Sequence, residues 1–293
     1  MPSYRDEGVW CAEVATYYFT EKEMQYSLVI SDYDGTFRHQ DTTIGEKTLS
    51  AVKRYVRAGG KFAICTGRMP ASIRPVLQKA GLKGVYVAYQ GSVVAEIESG
   101  KVVRESGFTK EQTLRVCNVM RQMGLRIHAY DEENCYTNYR DSFLDSYEDI
   151  CAIRSVVLDD LYGFLEKAPQ KFFKLLAMVR TSERNDVRIA LQDALGSREF
   201  YVSCSSTTLV EVTAVQDTKA AAVDFLCGYY GVDRSKVLAF GDNQNDGPML
   251  LAAGHGVAVA NADPKLKEIA DEVYGKTCDE DAVGDYLERY VLS

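Results

Sequence analysis

The chain is poor in the features that mark secreted, membrane-bound and nucleic-acid-binding proteins. Its eight cysteines are scattered through 293 residues with no Cys-x-x-Cys pair, a spacing that argues against a zinc site and favours free thiols in a reducing cytoplasm. It has no Lys/Arg block, and its formal net charge of -8 argues against nucleic acid or an anionic membrane as a partner. No apolar run reaches membrane-spanning length, and residues 1–24 lack the basic and apolar order of a signal peptide. We therefore expect a cytoplasmic protein in which residues 1–24 form an N-terminal extension.

What the chain does contain is the composition of a globular protein and a regular alternation of elements. Apolar residues make up 46% and charged residues 26%, and the length is sufficient for two domains. From residue 28, helical patterns separate the predicted strands Leu28–Ser31, Lys61–Cys65 and Val85–Ala88. This βαβαβ series predicts an α/β fold with a doubly wound parallel-sheet (Rossmann-like) core.

The middle of the chain follows a different pattern. A hairpin signal comes first, and Thr109 with Gln112 then predicts a capping box that opens a helix. After Thr208 the alternation of short strands and helices resumes. The sequence therefore predicts one core built from residues 25–86 and 209–293, with an α+β domain, residues 87–208, inserted between the two parts.

Two carboxylate-rich loops follow apolar strands. Asp32 and Asp34 come directly after the first strand, and the run Gly241–Asp246, which contains Asp242, follows another apolar stretch. Two carboxylates held together repel each other, so the pair predicts a metal site, an acid/base device or both, although Asp-Gly is also a common turn. Neither loop has the spacing of an EF-hand. A few carboxylates with open positions favour Mg²⁺ that shares its shell with a phosphate.

Two further elements are suited to an anion. Thr66-Gly67-Arg68 separates a predicted strand from a helix, where a hydroxyl and backbone N–H groups converge; Thr66 as a simple helix cap is the alternative. Lys219 begins a predicted helix, an unfavourable place for a cation in the field of the helix dipole. Functional use would explain this position, and a solvated surface lysine is the alternative.

The order of these elements resembles the haloacid dehalogenase superfamily. An insert between the second and third elements resembles the cap of its Cof-type branch, whose members are Mg²⁺-dependent phosphatases. The resemblance covers about residues 26–290. Gln90-Gly91-Ser92 departs from the Asn-Gly-Ala that is frequent in the family, which affects substrate contacts near the hinge more than the chemistry. The four motifs are Asp32-Tyr33-Asp34-Gly35-Thr36, Thr66-Gly67-Arg68, Lys219 and Gly241-Asp242-Asn243-Gln244-Asn245-Asp246.

The resemblance implies a role for each motif residue. Asp32 would be the nucleophile that forms an aspartyl-phosphate, and Asp34 would protonate the leaving group and later activate water. Mg²⁺ would be bound by the side chains of Asp32 and Asp242 and by the backbone carbonyl of Asp34. Lys219 would serve both catalysis and phosphate binding. The other phosphate-binding residues would be Thr66, Gly67 and Asn245, and the supporting residues would be Arg68 and Asp246.

Substrate choice is expected to come from the inserted domain. The predicted strand Leu125–Tyr130 alternates, with Arg126, His128 and Tyr130 on its polar face. If helices cover the apolar face, the polar face is free to cover the active site, and Lys174 on another strand would join it. An exposed polar sheet face without a role in binding is the alternative.

These observations together predict a Mg²⁺-dependent phosphatase that hydrolyses small phosphorylated metabolites such as sugar phosphates or nucleotide-like phosphates. A phosphomutase of the same fold is one alternative, but it would need a cluster of basic residues for a second phosphate. A catalytically silent phosphometabolite-binding protein is the other, and the intact carboxylates argue against it. Monomer and homodimer both remain open.

Overall fold

The computed structural model describes residues 24–293, so the predicted N-terminal extension lies outside the described residues except for Met24. No helix in this part of the chain combines the length and apolarity needed to cross a membrane. The strands are β1 (Leu28–Ser31), β2 (Lys61–Cys65), β3 (Val85–Ala88), β4 (Val93–Glu96), β5 (Val102–Glu105), β6 (Arg126–Tyr130), β7 (Cys135–Thr137), β8 (Ser155–Val157), β9 (Lys174–Met178), β10 (Phe200–Cys204), β11 (Leu209–Ala214), β12 (Val237–Gly241), β13 (His255–Ala258) and β14 (Glu272–Val273). The helices are α1 (Glu46–Arg57), α2 (Pro70–Lys79), α3 (Lys110–Gln122), α4 (Ser142–Cys151), α5 (Leu161–Lys167), α6 (Arg184–Leu195), α7 (Lys219–Tyr230), α8 (Gly247–Ala252), α9 (Pro264–Lys267) and α10 (Ala282–Tyr286).

The larger of two sheets has the order β14-β13-β12-β1-β2-β3-β4-β5. The strands from β14 to β3 run parallel, whereas β4 runs antiparallel to both of its neighbours, β3 and β5. Helices α1 and α2 connect β1, β2 and β3 at the predicted places, so the predicted α/β core is confirmed. The strand order reverses between β1 and β12. The carboxyl ends of these two strands therefore form the crevice in which open α/β sheets bind ligands.

The smaller sheet has the order β10-β11-β9-β6-β7-β8 and is antiparallel except for the pair β7 and β8. Its first helix, α3, begins with the predicted capping box, in which Thr109 and Gln112 bond each other's backbone N–H. Ile127 and Ala129 of β6 share a hydrophobic cluster with Val116 of α3. The structure therefore agrees with the predicted alternation of β6 on its helix-covered face.

Three strands belong to a different sheet from the one that the predicted domain boundaries imply. Strands β4 and β5 fall within residues 87–208 but extend the larger sheet, because β4 pairs with the edge of β3. Strand β11 begins at residue 209 but pairs with β9 and β10 of the smaller sheet. Alternation along the chain identifies a strand without specifying its partner, which explains both differences. We propose that the inserted unit begins after Glu105 and ends at Ala214.

A buried carboxylate anchors the C-terminal helix of the larger unit. The side chain of Asp285 is only 2% exposed and pairs with Lys47, with Lys276 at 2.9 Å and with Arg289 at 2.8 Å. Burial by itself raises the pKa of Asp285, but hydrogen bonds from Lys47, Tyr274 and Lys276 outweigh it and hold the pKa well below its ordinary value. An acid whose folded-state pKa is depressed stabilises the fold above its unfolded pKa and loses that contribution as the pH falls.

Replacing Asp285 with Asn is therefore expected to lower the free energy of unfolding at pH 7 by about 2 kcal/mol, since hydrogen bonds to charged groups contribute about this much. The difference from wild type should shrink below about pH 4, where the unfolded carboxyl becomes protonated. Urea denaturation at the two pH values measures both effects. Asp193→Asn, at an exposed position of α6, is the control, and an equal loss in the two variants would contradict the assignment.

Candidate active site

The two carboxylate loops meet at the crevice between β1 and β12. Ser31 stands opposite Phe240 in the parallel register, and the backbone N–H of Asp32 donates to the Phe240 carbonyl at 2.9 Å. Gly35 has a φ of +79°, and an added Cβ there would come within 2.5 Å of Asp242 Oδ2. The Asp34-Gly35 turn is therefore itself part of the site, because only glycine lets this loop lie so close to Asp242.

Lys219 lies buried between two carboxylates. Its Nζ donates to Asp32 Oδ1 and to Asp246 Oδ1, both at 2.5 Å. The residue opens α7 directly after the N-cap Thr218, whose hydroxyl accepts from Ala221 N–H. A solvated surface lysine is therefore the wrong alternative, and the two carboxylates offset the unfavourable helix dipole.

Three carboxylates form a compact acidic cluster. Oxygens of Asp32, Asp242 and Asp246 all lie within 4.8 Å of one another. Burial, followed by repulsion from Asp246, raises the pKa of Asp32 to about 7 against the opposing effect of Lys219. Burial, followed by repulsion from Asp32 and then from Asp246, raises the pKa of Asp242 well above its ordinary value. One ammonium does not balance three clustered carboxylates, of which two are buried and Asp242 is partly buried, so this all-oxygen donor set fits a hard divalent cation such as Mg²⁺.

The hydrogen bonds show which carboxylates have an oxygen left for a cation. Asp246 uses both, because Oδ1 accepts from Lys219 and Oδ2 accepts from the backbone N–H groups of Asp242 and Asn243 at 2.9 Å. Asp242 receives the Thr36 hydroxyl at 2.9 Å on Oδ1. The second oxygens of Asp32 and Asp242 are therefore the candidate metal ligands, and Asp246 orients Lys219 and the loop.

Asp34 is bound by two arginines. Arg68 donates from Nε to Oδ2 at 2.7 Å and from Nη2 to Oδ1 at 2.9 Å, and Arg38 approaches Oδ1 at 2.6 Å. Both guanidinium groups also lie over the ring of Tyr33. Sequence reasoning proposed that Arg68 braces this loop but missed Arg38, which the i, i+4 spacing from Asp34 could have indicated.

Thr66 and Gly67 form the loop after β2. The hydroxyl of Thr66 accepts from the backbone N–H of Arg68 at 3.2 Å, whereas Met69 occupies the N-cap of α2. The helix-cap alternative for Thr66 is therefore wrong. At Gly67, an added Cβ would lie 2.5 Å from the amide nitrogen of Gln90, so a larger residue there would require the Gln90 side chain to shift.

A buried polar network connects the two sheets behind this loop. Lys174 donates to the Gly67 carbonyl at 2.8 Å and to Glu211 at 3.1 Å. Gln90 donates to the other oxygen of Glu211 at 2.7 Å and accepts from Asn245 Nδ2 at 3.2 Å. Sequence reasoning missed Glu211. The available signal was the single charged residue of strand β11, because a buried strand tolerates a charge only when it is paired.

Substitutions at Lys174 and Glu211 test how much this network contributes to stability. Both side chains are 3% exposed, so Glu211→Ala leaves an ammonium buried without its counter-charge and is expected to lower the free energy of unfolding by about 3–5 kcal/mol. The double variant Lys174→Met/Glu211→Leu should recover most of that loss. Urea denaturation of the two variants measures the difference, and equal stabilities would argue against the pair.

The site opens into a cavity of about 320 Å³ between the two sheets. Among the described residues, its lining includes Lys174 but not Arg126, His128 or Tyr130. Arg126 pairs with Asp141 at 2.5 Å, whereas His128 is fully buried and its pKa is lowered to about 3 by burial and by Lys174.

The sequence predicted that the polar face of β6 either covers the active site or is exposed without a role in binding. The structure differs from both interpretations at His128 and Tyr130, which do not line the cavity and are buried. The hydroxyl of Tyr130 donates to that of Tyr147, on α4, at 2.7 Å. An aromatic layer thus fills the space between β6 and the neighbouring elements. Of the four residues predicted to contact the substrate, only Lys174 lines the cavity.

Comparisons with known proteins give the family and the fold of the chain. The model of the haloacid dehalogenase-like hydrolase family matches residues 29–287. An HMP-PP phosphatase from Yersinia enterocolitica is 26% identical over 271 residues, which cover 92% of this chain and 96% of that protein. A solved haloacid dehalogenase-like hydrolase from B. subtilis has a TM-score of 0.83 at 20% identity, with 90% of this chain and 100% of that one covered. A second, from Bacteroides thetaiotaomicron, has a TM-score of 0.77 at 25% identity, with coverage of 90% and 99%.

Proposed function

Because the chain belongs to the haloacid dehalogenase-like hydrolase family and is a phosphatase of that family, we propose that it hydrolyses small phosphomonoesters through an aspartyl-phosphate on Asp32. The observation that carries the proposal is the ion pair of Lys219 with Asp32 and Asp246, at 2.5 Å each, beside Asp242 in the crevice. An ammonium fixed against one oxygen of the nucleophile orients it and lowers the charge that an incoming phosphate meets.

Two displacements complete the proposed reaction. Asp32 attacks phosphorus, the bond to the leaving oxygen breaks, and Asp34 donates a proton to that oxygen. Asp34 then removes a proton from water, whose oxygen attacks the aspartyl-phosphate and releases phosphate and the free carboxylate. Thr66, Gly67, Lys219 and Asn245 are the proposed donors to the phosphate oxygens.

Mg²⁺ is the proposed cofactor, and the side chains of Asp32 and Asp242 with the backbone carbonyl of Asp34 are its proposed ligands. When bound, it supplies the positive charge that shields the phosphate from the carboxylates.

The seven described cysteines are free thiols, which supports a cytoplasmic location.

Metal dependence is the first test of the proposal. Hydrolysis of p-nitrophenyl phosphate should require Mg²⁺, fall to background after chelation with EDTA and return when excess Mg²⁺ is added, because three carboxylates otherwise face the phosphate. Release of nitrophenolate measures the rate. Turnover that is unchanged by chelation would exclude the metal, and the absence of turnover on any phosphate ester would favour a silent binding protein.

A further inference from the structure

One wall of the cavity is a helix face. Helix α4 contributes residues at the spacing i, i+3, i+4, i+7 and i+8, which is one continuous stripe of a helix. Two large apolar members of this stripe, Phe143 and Ile150, remain 52% and 56% exposed. The stripe consists of Phe143, Ser146, Tyr147, Ile150 and Cys151.

The helix is held in place at both of its ends. Asp141 caps its N-terminus by accepting from the backbone N–H groups of Phe143 and Leu144. At its C-terminus, Arg68 donates to the Ile150 carbonyl at 3.0 Å through the same Nη2 that bonds Asp34. The apolar stripe therefore lies next to the carboxylate that is proposed to protonate the leaving oxygen.

The positive charges of the cavity are already paired. Of the described lining residues, the cationic ones are Arg38, Arg68 and Lys174. Both arginines bind Asp34, and Lys174 binds Glu211. A second phosphate or a carboxylate on the substrate would have to displace one of these pairs before it could bind.

Two of the hydroxyl groups in the lining are also engaged as donors. Ser146 donates to the Ser142 carbonyl at 2.9 Å, and Ser205 donates to Glu211 at 2.6 Å. A sugar carries several hydroxyl groups, and each one that is desolvated without a partner weakens binding. An apolar ring needs no such partners and removes the exposed stripe from water.

We propose, on the basis of the phosphatase function above, that the physiological substrate is the monophosphate of an uncharged aromatic alcohol, whose ring lies against Phe143 and Ile150. The inference identifies the leaving group as an aromatic alcohol. It predicts that such esters are better substrates than sugar phosphates, bisphosphates and diphosphate esters. Phe143 and Ile150 act as specificity residues, and Arg68 sets their position relative to Asp34.

The test compares benzyl phosphate with glucose 6-phosphate, fructose 1,6-bisphosphate and benzyl diphosphate. Benzyl phosphate and the sugar phosphates all release an alkoxide, so their intrinsic reactivities are similar. The kcat/KM for benzyl phosphate should exceed each of the others by about tenfold or more. Acetyl phosphate, whose leaving group carries no ring to pack on the stripe, serves as the reference substrate.

The variant Phe143→Ala/Ile150→Ala should lower the ratio of kcat/KM for benzyl phosphate to that for acetyl phosphate by about 10- to 100-fold. Ile189→Ala, at a 48% exposed isoleucine of α6 outside the cavity lining, is the control and should leave the ratio unchanged. An unchanged ratio in the double variant, or a preference for a sugar phosphate, the bisphosphate or the diphosphate, would overturn the inference alone. Failure of the wild type to hydrolyse any of these substrates, acetyl phosphate included, would overturn the proposed function as well.

Discussion

Asp32→Asn is expected to reduce kcat/KM for every phosphate ester by about 10⁴-fold or more, because an amide of the same size cannot attack phosphorus and removes one candidate metal ligand. Steady-state hydrolysis of p-nitrophenyl phosphate measures the loss. Acid quenching during turnover should trap a phosphorylated chain in wild type and none in the variant. Asp193→Asn, on the exposed surface of α6, should behave as wild type. Equal rates for Asp32→Asn and wild type would exclude Asp32 as the nucleophile.

The loss at Asp32 is not expected to reflect unfolding. Burial raises the pKa of Asp32 to about 7, whereas an unfolded aspartate has a pKa of about 4. An acid whose folded-state pKa is raised makes the fold less stable as the pH rises from about 4 to 7. At neutral pH and without metal, the Asp32→Asn variant, which carries a neutral amide, should therefore have a melting temperature no lower than that of wild type. A variant that melts well below wild type would leave misfolding as the cause, and mapping the phosphorylated residue of the trapped wild-type chain would then decide the role of Asp32.

Asp34→Asn is expected to show the second largest effect, a loss of about 10²- to 10⁴-fold with alkyl phosphates, which need a proton on the leaving oxygen. An aryl phosphate has a better leaving group, so its first step should lose less. Because the variant cannot activate water, phosphorylated enzyme should accumulate, and a burst of nitrophenolate should precede a slow steady state. Rapid-quench measurements with the two substrates test both expectations.

The control for Asp34 is Asp41→Asn, which changes an exposed carboxylate further along the same connection between β1 and α1. Its rates should equal those of wild type. An Asp34→Asn variant that loses the same factor with alkyl and aryl phosphates and shows no burst would contradict an acid/base role. It would instead indicate that Asp34 acts only through its pairs with Arg38 and Arg68.

The core elements could be predicted because their signals are local. The strands Leu28–Ser31, Lys61–Cys65 and Val85–Ala88 occur where the apolar runs indicated, and the capping box at Thr109 opens the predicted helix. Each of the two carboxylate loops directly follows a buried parallel strand. Parallel strands direct their carboxyl ends to one edge, so placing Asp32 and Asp242 together required only the correct fold class.

Other features could not be read from local patterns. Strand β11 alternates as any strand does, yet its partner is β9 of the smaller sheet, and its Glu211 meets Lys174 there. His128 stands on a face that looked polar, but neighbouring tyrosines bury it. Whether a polar side chain is exposed, paired or buried depends on the element that packs over it, and that element comes from a distant part of the chain.

The sequence by itself determined the class of fold and the positions of the chemically important side chains along it, since backbone periodicity and the residues that end strands act over only a few neighbours. Only the tertiary structure decided which groups these side chains meet: Asp34 with Arg68, Lys219 between two carboxylates, and the apolar stripe of α4 in the lining of the same cavity. These contacts join residues far apart in the chain, and they form only when the sheets and their covering helices pack together.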